Sequence, residues 1–282
     1  MPQDPKDLAA FFDSIWSESK HAMLQSMYFK PKYFSGVLFG IALVALGSFL
    51  YGEYVEKKMA ARLDAYTFSN TQSWDPLVYA LKQSESSVVG AAAFSITLPP
   101  PPHNSSSETK AELDALHQFA KERTQSQIIE IQKEIHIDSA DWGTQSYTNL
   151  LSDKPNTRAL FARVLPEFNA VVITQKEYFD RVRASKLDDT LVPVITLPGH
   201  PAYPSGHASQ SMLVALILGA FDPIHADQYN ESALRIAHNR EIAGVHYPSD
   251  SRAGQLLARE YFLLLNKSDT YREFFAEAQK EW

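Results

Sequence analysis

The sequence predicts an all-α protein, a helical bundle with its polar site at helix termini and one added N-terminal transmembrane helix. Three observations carry this. Most of the chain past residue 60 shows helical patterning with little alternation of period two. An uncharged run of 20 residues, 33–52, stands between Lys32 and Glu53. A Pro-Ser-Gly turn at 204–206 opens directly onto an apolar helical segment.

The elements follow in order. Residues 1–32 read as a polar, partly helical leader, with Phe11, Phe12, Ile15 and Trp16 on an apolar face. Residues 33–52 rise ~30 Å as a helix, the thickness of the hydrocarbon core of a bilayer. Glu53 to Ala65 continue this helix into solvent, and a body follows over 60–282. Pro99–Pro102 form a stiff polyproline loop. Ser105 with Glu108 reads as a capping box opening a helix that runs to about Arg123. A second helix covers 126–135, and 155–186 reads as helical with a break near Pro166. Ala208–Phe221 is an apolar helix too short to cross a bilayer. Glu231–Val245 and Ser249–Leu265 follow, and Ser268 opens the last, amphipathic helix.

Composition narrows the chemistry. With 33 acidic and 26 basic residues the net charge is −7, which argues against nucleic acid as a partner. There is no cysteine, which excludes disulfides, thiolate metal sites and cysteine nucleophiles. Lys6, Lys20, Lys30 and Lys32 precede the uncharged run, and Lys57, Lys58 and Arg62 follow it, a slight lean towards a cytoplasmic N-terminus.

Three segments concentrate reactive side chains. In the first, Lys176 and Arg183 are seven apart, two helical turns, so on one helix both cations share a face. In the second, Tyr203-Pro204-Ser205-Gly206-His207 forms a tight turn at a helix N-terminus, where free N–H groups and the helix dipole favour an anion. In the third, Arg240 precedes His246, and Asp250 lies four residues further on. A carboxylate at that spacing can hold one imidazole nitrogen and leave the other free as a nucleophile. Each segment alone is compatible with a solvated basic stripe, a loop before a helix or a satisfied surface histidine. Together they supply what phosphoryl transfer needs: cations and N–H donors for the oxygens, a nucleophile and an acid. His200 either lines the pocket mouth or packs its loop. His21, His103, His117, His136, His225 and His238 show no ligating spacing and read as structural or exposed.

The order Lys-x6-Arg, Pro-Ser-Gly-His, Arg-x5-His-x3-Asp over about 176–254 resembles the superfamily of type-2 phosphatidic-acid phosphatases, bacterial non-specific acid phosphatases and vanadium-dependent haloperoxidases. The resemblance implies that Lys176, Arg183, Arg240, Ser205 and Gly206 grip a phosphate. It implies that His246 attacks phosphorus, that Asp250 orients it, and that His207 protonates the leaving group and then activates water. The phosphatases of this superfamily require no cofactor or metal; in the haloperoxidases the same site holds vanadate, on the histidine matching His246. Two positions depart from the usual pattern: Ala184 stands where proline follows the arginine, and Asn239 where serine precedes the third-segment arginine. The single uncharged run resembles soluble members with an added anchor rather than the multi-span lipid phosphatases.

Three functions fit these residues. One is a single-pass, membrane-anchored phosphatase acting on a phosphorylated small molecule or lipid outside the cytoplasm through a phosphohistidine. The second is a vanadium-dependent haloperoxidase. The third is a degenerate oxyanion-binding scaffold in a membrane complex, with 1–32 as the partner-binding element.

Overall fold

A computed structural model describes residues 31–83, 87–135 and 149–282, and the side chains from residue 39 onward within them. The described residues are helical, with no strand among them. Of the leader expected at 1–32, residues 1–30, Phe11, Phe12, Ile15 and Trp16 among them, lie outside the described residues. The chain divides into two units, Met1–Lys58 and Met59–Trp282.

Helix α1, Pro31–Asp64, carries the uncharged run and continues past it, as the charged residues after Gly52 suggested. From Phe39 onward it is long and apolar enough to cross a membrane, and that stretch is not buried within the protein. Phe39, Val44, Phe49 and Leu50 are all exposed.

The second unit is built around the apolar segment after the Pro-Ser-Gly turn. This is α5, Gly206–Phe221, capped by the Ser205 hydroxyl, which accepts from the Ala208 N–H. It is apolar on all sides, which suits a central helix and no surface one. Met212, Leu213, Val214, Ile217 and Leu218 are wholly buried. Two later helices, α6 (Ala226–Ile242) and α7 (Pro248–Leu265), pack most extensively against it. Helix α4, Pro155–Phe179, also packs on it, and α8, Asp269–Ala278, covers α4. Two shorter helices precede these: α2, Ser107–Glu122, and α3, Gln125–Lys133.

Several boundaries differ from the sequence reading. Helix α2 is capped by Ser106, not Ser105. All three serines of that run can cap a helix. Ser105 is drawn instead to Asp64, donating to its carboxylate from N at 2.9 Å and from Oγ at 2.8 Å. Pro166 does not interrupt α4. Proline removes one backbone bond, but Val164, Leu165 and Phe168 around it are fully buried, and that packing keeps the helix continuous. The helix stops seven residues short of the expected 186. Asp180 takes the left-handed conformation, φ 47°, and its carboxylate accepts from Ser69 N and Oγ. Helix α6 starts five residues earlier than expected and ends at Ile242, two residues before Gly244 at φ +76°.

Close approach matters most at Gly254, on α7. A Cβ there would lie 2.6 Å from the Ser205 carbonyl oxygen and 2.9 Å from Ser209 Oγ. The bare backbone lets α7 lie directly on the start of α5. Gly254→Ala is therefore expected to cost about 1–3 kcal/mol of stability, the usual penalty of overpacking. Urea unfolding checks this, and a full-stability variant would show that α5 and α7 can separate freely.

Candidate active site

Four chain segments bring the site together: the end of α4 with the turn after it, the loop into α5, the end of α6 with the turn after it, and the start of α7. Lys176 lies in the last turn of α4, buried, and its Nζ donates to the carbonyls of Pro201 at 2.9 Å and Pro204 at 2.6 Å. The ammonium thus holds the loop into α5 by its backbone. Burial first, and Arg183 second, push its pKa well below the usual lysine range.

Arg183 does not share a helix with Lys176. The turn at Asp180 ends α4, and Arg183 caps the one-turn helix Ala184–Leu187. The two cations still face one site, because the chain folds back rather than because of helical spacing. Arg183 is completely buried. Its Nε and Nη2 donate to the His200 carbonyl at 3.1 and 2.8 Å, and its Nη1 lies 3.2 Å from His246 Nε2. Burial lowers its pKa to about 10. His200 is in the site: its Nδ1 is 3.0 Å from Arg183 Nη2. Ala184, in place of proline, is buried in a small apolar cluster with Leu116 and Tyr247.

His246 and Asp250 meet as their spacing implied. Nδ1 of His246 is 3.0 Å from Asp250 Oδ2, and the same oxygen accepts the Tyr247 N–H at 2.9 Å. The Asp250 carboxylate therefore caps α7 and holds the imidazole together. The Asp250 carbonyl accepts the Ser205 N–H at 2.9 Å, tying the second segment to the third. Burial alone would raise the Asp250 carboxyl, but Arg181 and then His246 hold it well below the usual carboxylate range. Burial, reinforced by Arg183, pulls the imidazole of His246 down to about 3.

His207, in the first turn of α5, points its Nε2 at the carbonyl of Glu134, 2.9 Å away. Burial first, then Arg240, lowers its pKa well below the ordinary value. Arg240 pairs through Nη2 with the Glu134 carboxylate and donates to the Ile131 carbonyl at 3.2 Å. Its Nε and Nη1 are buried without a hydrogen-bond partner among the described residues. Asn239, where serine is usual, donates its amide to Glu134 at 2.9 Å.

The structure thus brings together Lys176, Arg183, His200, Ser205, Gly206, His207, Arg240, His246 and Asp250. Sequence reasoning missed Glu134, Arg181, Glu112 and Ser249. Arg181 sits inside the first segment, two residues before Arg183, and offered a signal by position. Glu112 and Glu134 lie 42 or more residues before the first segment and offered none. Among the described residues no group of three or more His, Asp or Glu side chains is placed to hold a metal ion.

Among the described residues the fold is all-α, and buried cations and histidines gather at helix termini. No family model matches the chain. A non-specific acid phosphatase of Salmonella typhi is 30% identical over 86 residues, covering 30% of this chain and 34% of that protein. An acid phosphatase of Zymomonas mobilis subsp. mobilis is 32% identical over 80 residues, covering 28% and 30%. This chain therefore aligns with about a third of the length of these relatives. A bacterial vanadium-dependent chloroperoxidase has a similar fold, with TM-score 0.58 over 74% of this chain and 57% of that one, at 10% identity. The first bacterial vanadium-dependent iodoperoxidase gives 0.53 over 71% and 60%, at 14% identity. Motif order and sequence relatives point the same way: over about 80 residues the chain is similar to bacterial acid phosphatases, and its all-α fold is like that of the vanadium-dependent haloperoxidases.

Proposed function

We propose that this protein is a membrane-anchored phosphatase that hydrolyses phosphomonoesters or lipid-linked phosphates through a phosphohistidine. One observation carries the reading. Lys176, Arg183 and Arg240 are buried together, and Nε and Nη1 of Arg240 have no hydrogen-bond partner among the described residues. Glu134 offsets the charge of Arg240, but Lys176 and Arg183 meet no carboxylate among the described residues. Buried unpaired donors and buried cations without a counter-charge are costly, and a phosphate dianion satisfies both.

In this reading the phosphoryl group sits between the two histidines. Arg183, Arg240, Ser205 and the Gly206 backbone hold its oxygens, while Lys176 fixes the loop that presents them. Nε2 of His246 attacks phosphorus as the bond to the leaving oxygen breaks. The leaving oxygen takes its proton from His207; the Glu134 carbonyl, which His207 Nε2 faces here, marks where such an acceptor sits. A bound phosphate adds negative charge beside both histidines and raises their pKa values, so His207 gains the proton it must donate. His207 then accepts a proton from water as the water oxygen attacks phosphorus and the P–N bond to His246 Nε2 breaks, which returns the imidazole and releases inorganic phosphate.

Vanadate matches phosphate in charge and shape, so the same cations and N–H groups would hold it, with His246 as its protein ligand; when bound it supplies peroxide activation for halide oxidation. Residues 33–52 would anchor the chain, with the body on the extracytoplasmic side. The leader at 1–32 is the candidate segment for protein partners.

The test is hydrolysis of an aryl phosphate by the full-length protein in detergent, with and without vanadate. Turnover blocked by vanadate supports the reading. Bromide oxidation by peroxide in the vanadate-loaded protein, without phosphatase turnover, moves it to the haloperoxidases. Anion binding is checked separately. Phosphate or vanadate at a hundredfold excess over its dissociation constant should stabilise the fold by ~2.7 kcal/mol. Arg183→Ala should abolish that shift, and no shift in the parent at millimolar anion would sink the pocket as described.

A further inference from the structure

The most enclosed charges outside the phosphate grip lie behind the nucleophile. Arg181 is buried at the centre of this group. Its Nη1 donates to Asp250 Oδ1 at 2.6 Å and to Ser249 Oγ at 2.7 Å, and its Nη2 donates to Glu112 Oε2 at 3.1 Å. The guanidinium lies over the Tyr247 ring, 3.8 Å from its centroid. Glu112, buried on α2, also accepts the Ser249 N–H on Oε1 at 2.6 Å and the Ser249 hydroxyl on Oε2 at 2.9 Å. Arg252, mostly exposed, is 3.5 Å from Glu112 Oε1.

We infer that Glu112 and Arg181 are positioning residues for catalysis, the outer half of a buried relay Glu112–Arg181–Asp250–His246 that sets the orientation and tautomer of the nucleophilic imidazole. This rests on the phosphatase reading above. The argument starts from the Asp250 carboxylate. Its Oδ2 takes the His246 ring and the Tyr247 N–H, and its Oδ1 takes Arg181. With both oxygens held, the carboxylate cannot rotate about its own axis. Arg181 is in turn held at both ends of its fork, because Glu112 takes the other Nη. Each link removes one rotation from the next, and the last is the imidazole.

Charge supports the same role. Among the buried groups, two carboxylates and one guanidinium leave one net negative charge behind His246; the second guanidinium at Glu112, that of Arg252, is mostly exposed and screened by solvent. Phosphorylation at Nε2 leaves the ring cationic, with its proton on Nδ1 facing Asp250, so that negative charge stabilises the phosphoenzyme. The facing charges on the other side are Arg183 and Lys176, with His200 and His207 nearby. A fold that needed only a staple between α2 and α7 could use apolar packing, since buried ion triads are often replaceable without loss of stability. The one tie that runs from this triad to the nucleophile is what packing cannot replace.

The experiment uses the full-length protein with Glu112→Gln, Arg181→Gln and the double variant. Each should lose about 10–100-fold in kcat on an aryl phosphate, the usual effect of breaking a partner behind a reacting ligand, with KM and phosphate affinity unchanged. The double variant should lose no more than Arg181→Gln alone, because both residues act through Asp250. In ¹⁵N NMR at one fixed pH, His246 should be the Nδ1–H tautomer in the parent and a mixture of tautomers in the variants. Should Arg181→Gln fail to fold, Glu112→Gln carries the test, because glutamine keeps the shape and the acceptor for Ser249. Wild-type kcat, a loss confined to KM, or an unchanged tautomer overturns the relay. A parent protein without turnover refutes the phosphatase reading, and the tautomer still decides the relay.

Discussion

His246→Ala is expected to leave no phosphoenzyme with any substrate, whereas His207→Ala is expected to divide substrates by leaving group. His246 offers Nε2 to the site because Asp250 holds Nδ1; His225 and His238 have the same kind of pairing, with Asp222 and Glu241, but both are half-exposed whereas His246 is buried. His207 has a different task. It stands at the start of α5, beside Arg240 and Glu134, and in the proposed mechanism its proton serves the leaving oxygen. Alkyl alkoxides need that proton and aryl oxides need it far less. His207→Ala should therefore lose ~10²–10⁴-fold on alkyl phosphates, the usual worth of a general acid, and much less on aryl phosphates. Burst kinetics on both substrate types with each variant measures this. Equal losses on both would remove His207 from the acid role. A phosphoenzyme formed by His246→Ala would transfer the nucleophile's role elsewhere.

Stability should fall steeply as the solution is acidified, and phosphate should reduce the slope. His200, His207 and His246 are all kept neutral, first by burial and then by neighbouring cations, with His246 lowered to about 3. In the unfolded chain each titrates near 6.5. Between 6.5 and the folded value the unfolded state therefore binds protons that the folded state does not. Stability drops as pH falls through that window, by ~1.4 kcal/mol per pH unit for each histidine. Asp250 adds to the loss at still lower pH, because its folded carboxyl is held below the unfolded value. Glu134 works the other way: burial raises its carboxyl against the pull of Arg240, so it gives back some stability as it protonates. Bound phosphate raises the histidine values and moves the loss to lower pH. Urea unfolding between about pH 7 and about pH 5, with and without phosphate, reads both effects. A flat profile without phosphate would mean that the three imidazoles are not buried neutral.

The two predictions draw on parts of the molecule that differ in how far they could be read from the chain. The pairing of His246 with Asp250 follows from a four-residue spacing and is realised at 3.0 Å. The cap of α5 at Ser205 and the burial of that helix follow from a turn and an apolar run next to it. Such features are local, since capping and periodicity act over one helical turn, and a linear sequence contains them whole. Lys176 and Arg183 do face one region, but helical spacing does not join them, because α4 ends at Asp180, where Ser69 holds the side chain from 111 residues away. The partners that set the chemistry are more distant still in their logic. Glu112 steadies Arg181, Glu134 faces His207 and Arg240, and Gly254 admits α7 onto Ser205. None of these contacts has a spacing that marks it, because each joins elements brought together only by packing of the core. Burial, the largest influence on the pKa of every histidine in the site, is likewise a property of the assembled helices. Local order along the chain marked the candidate groups, and tertiary packing decided how each is held and charged.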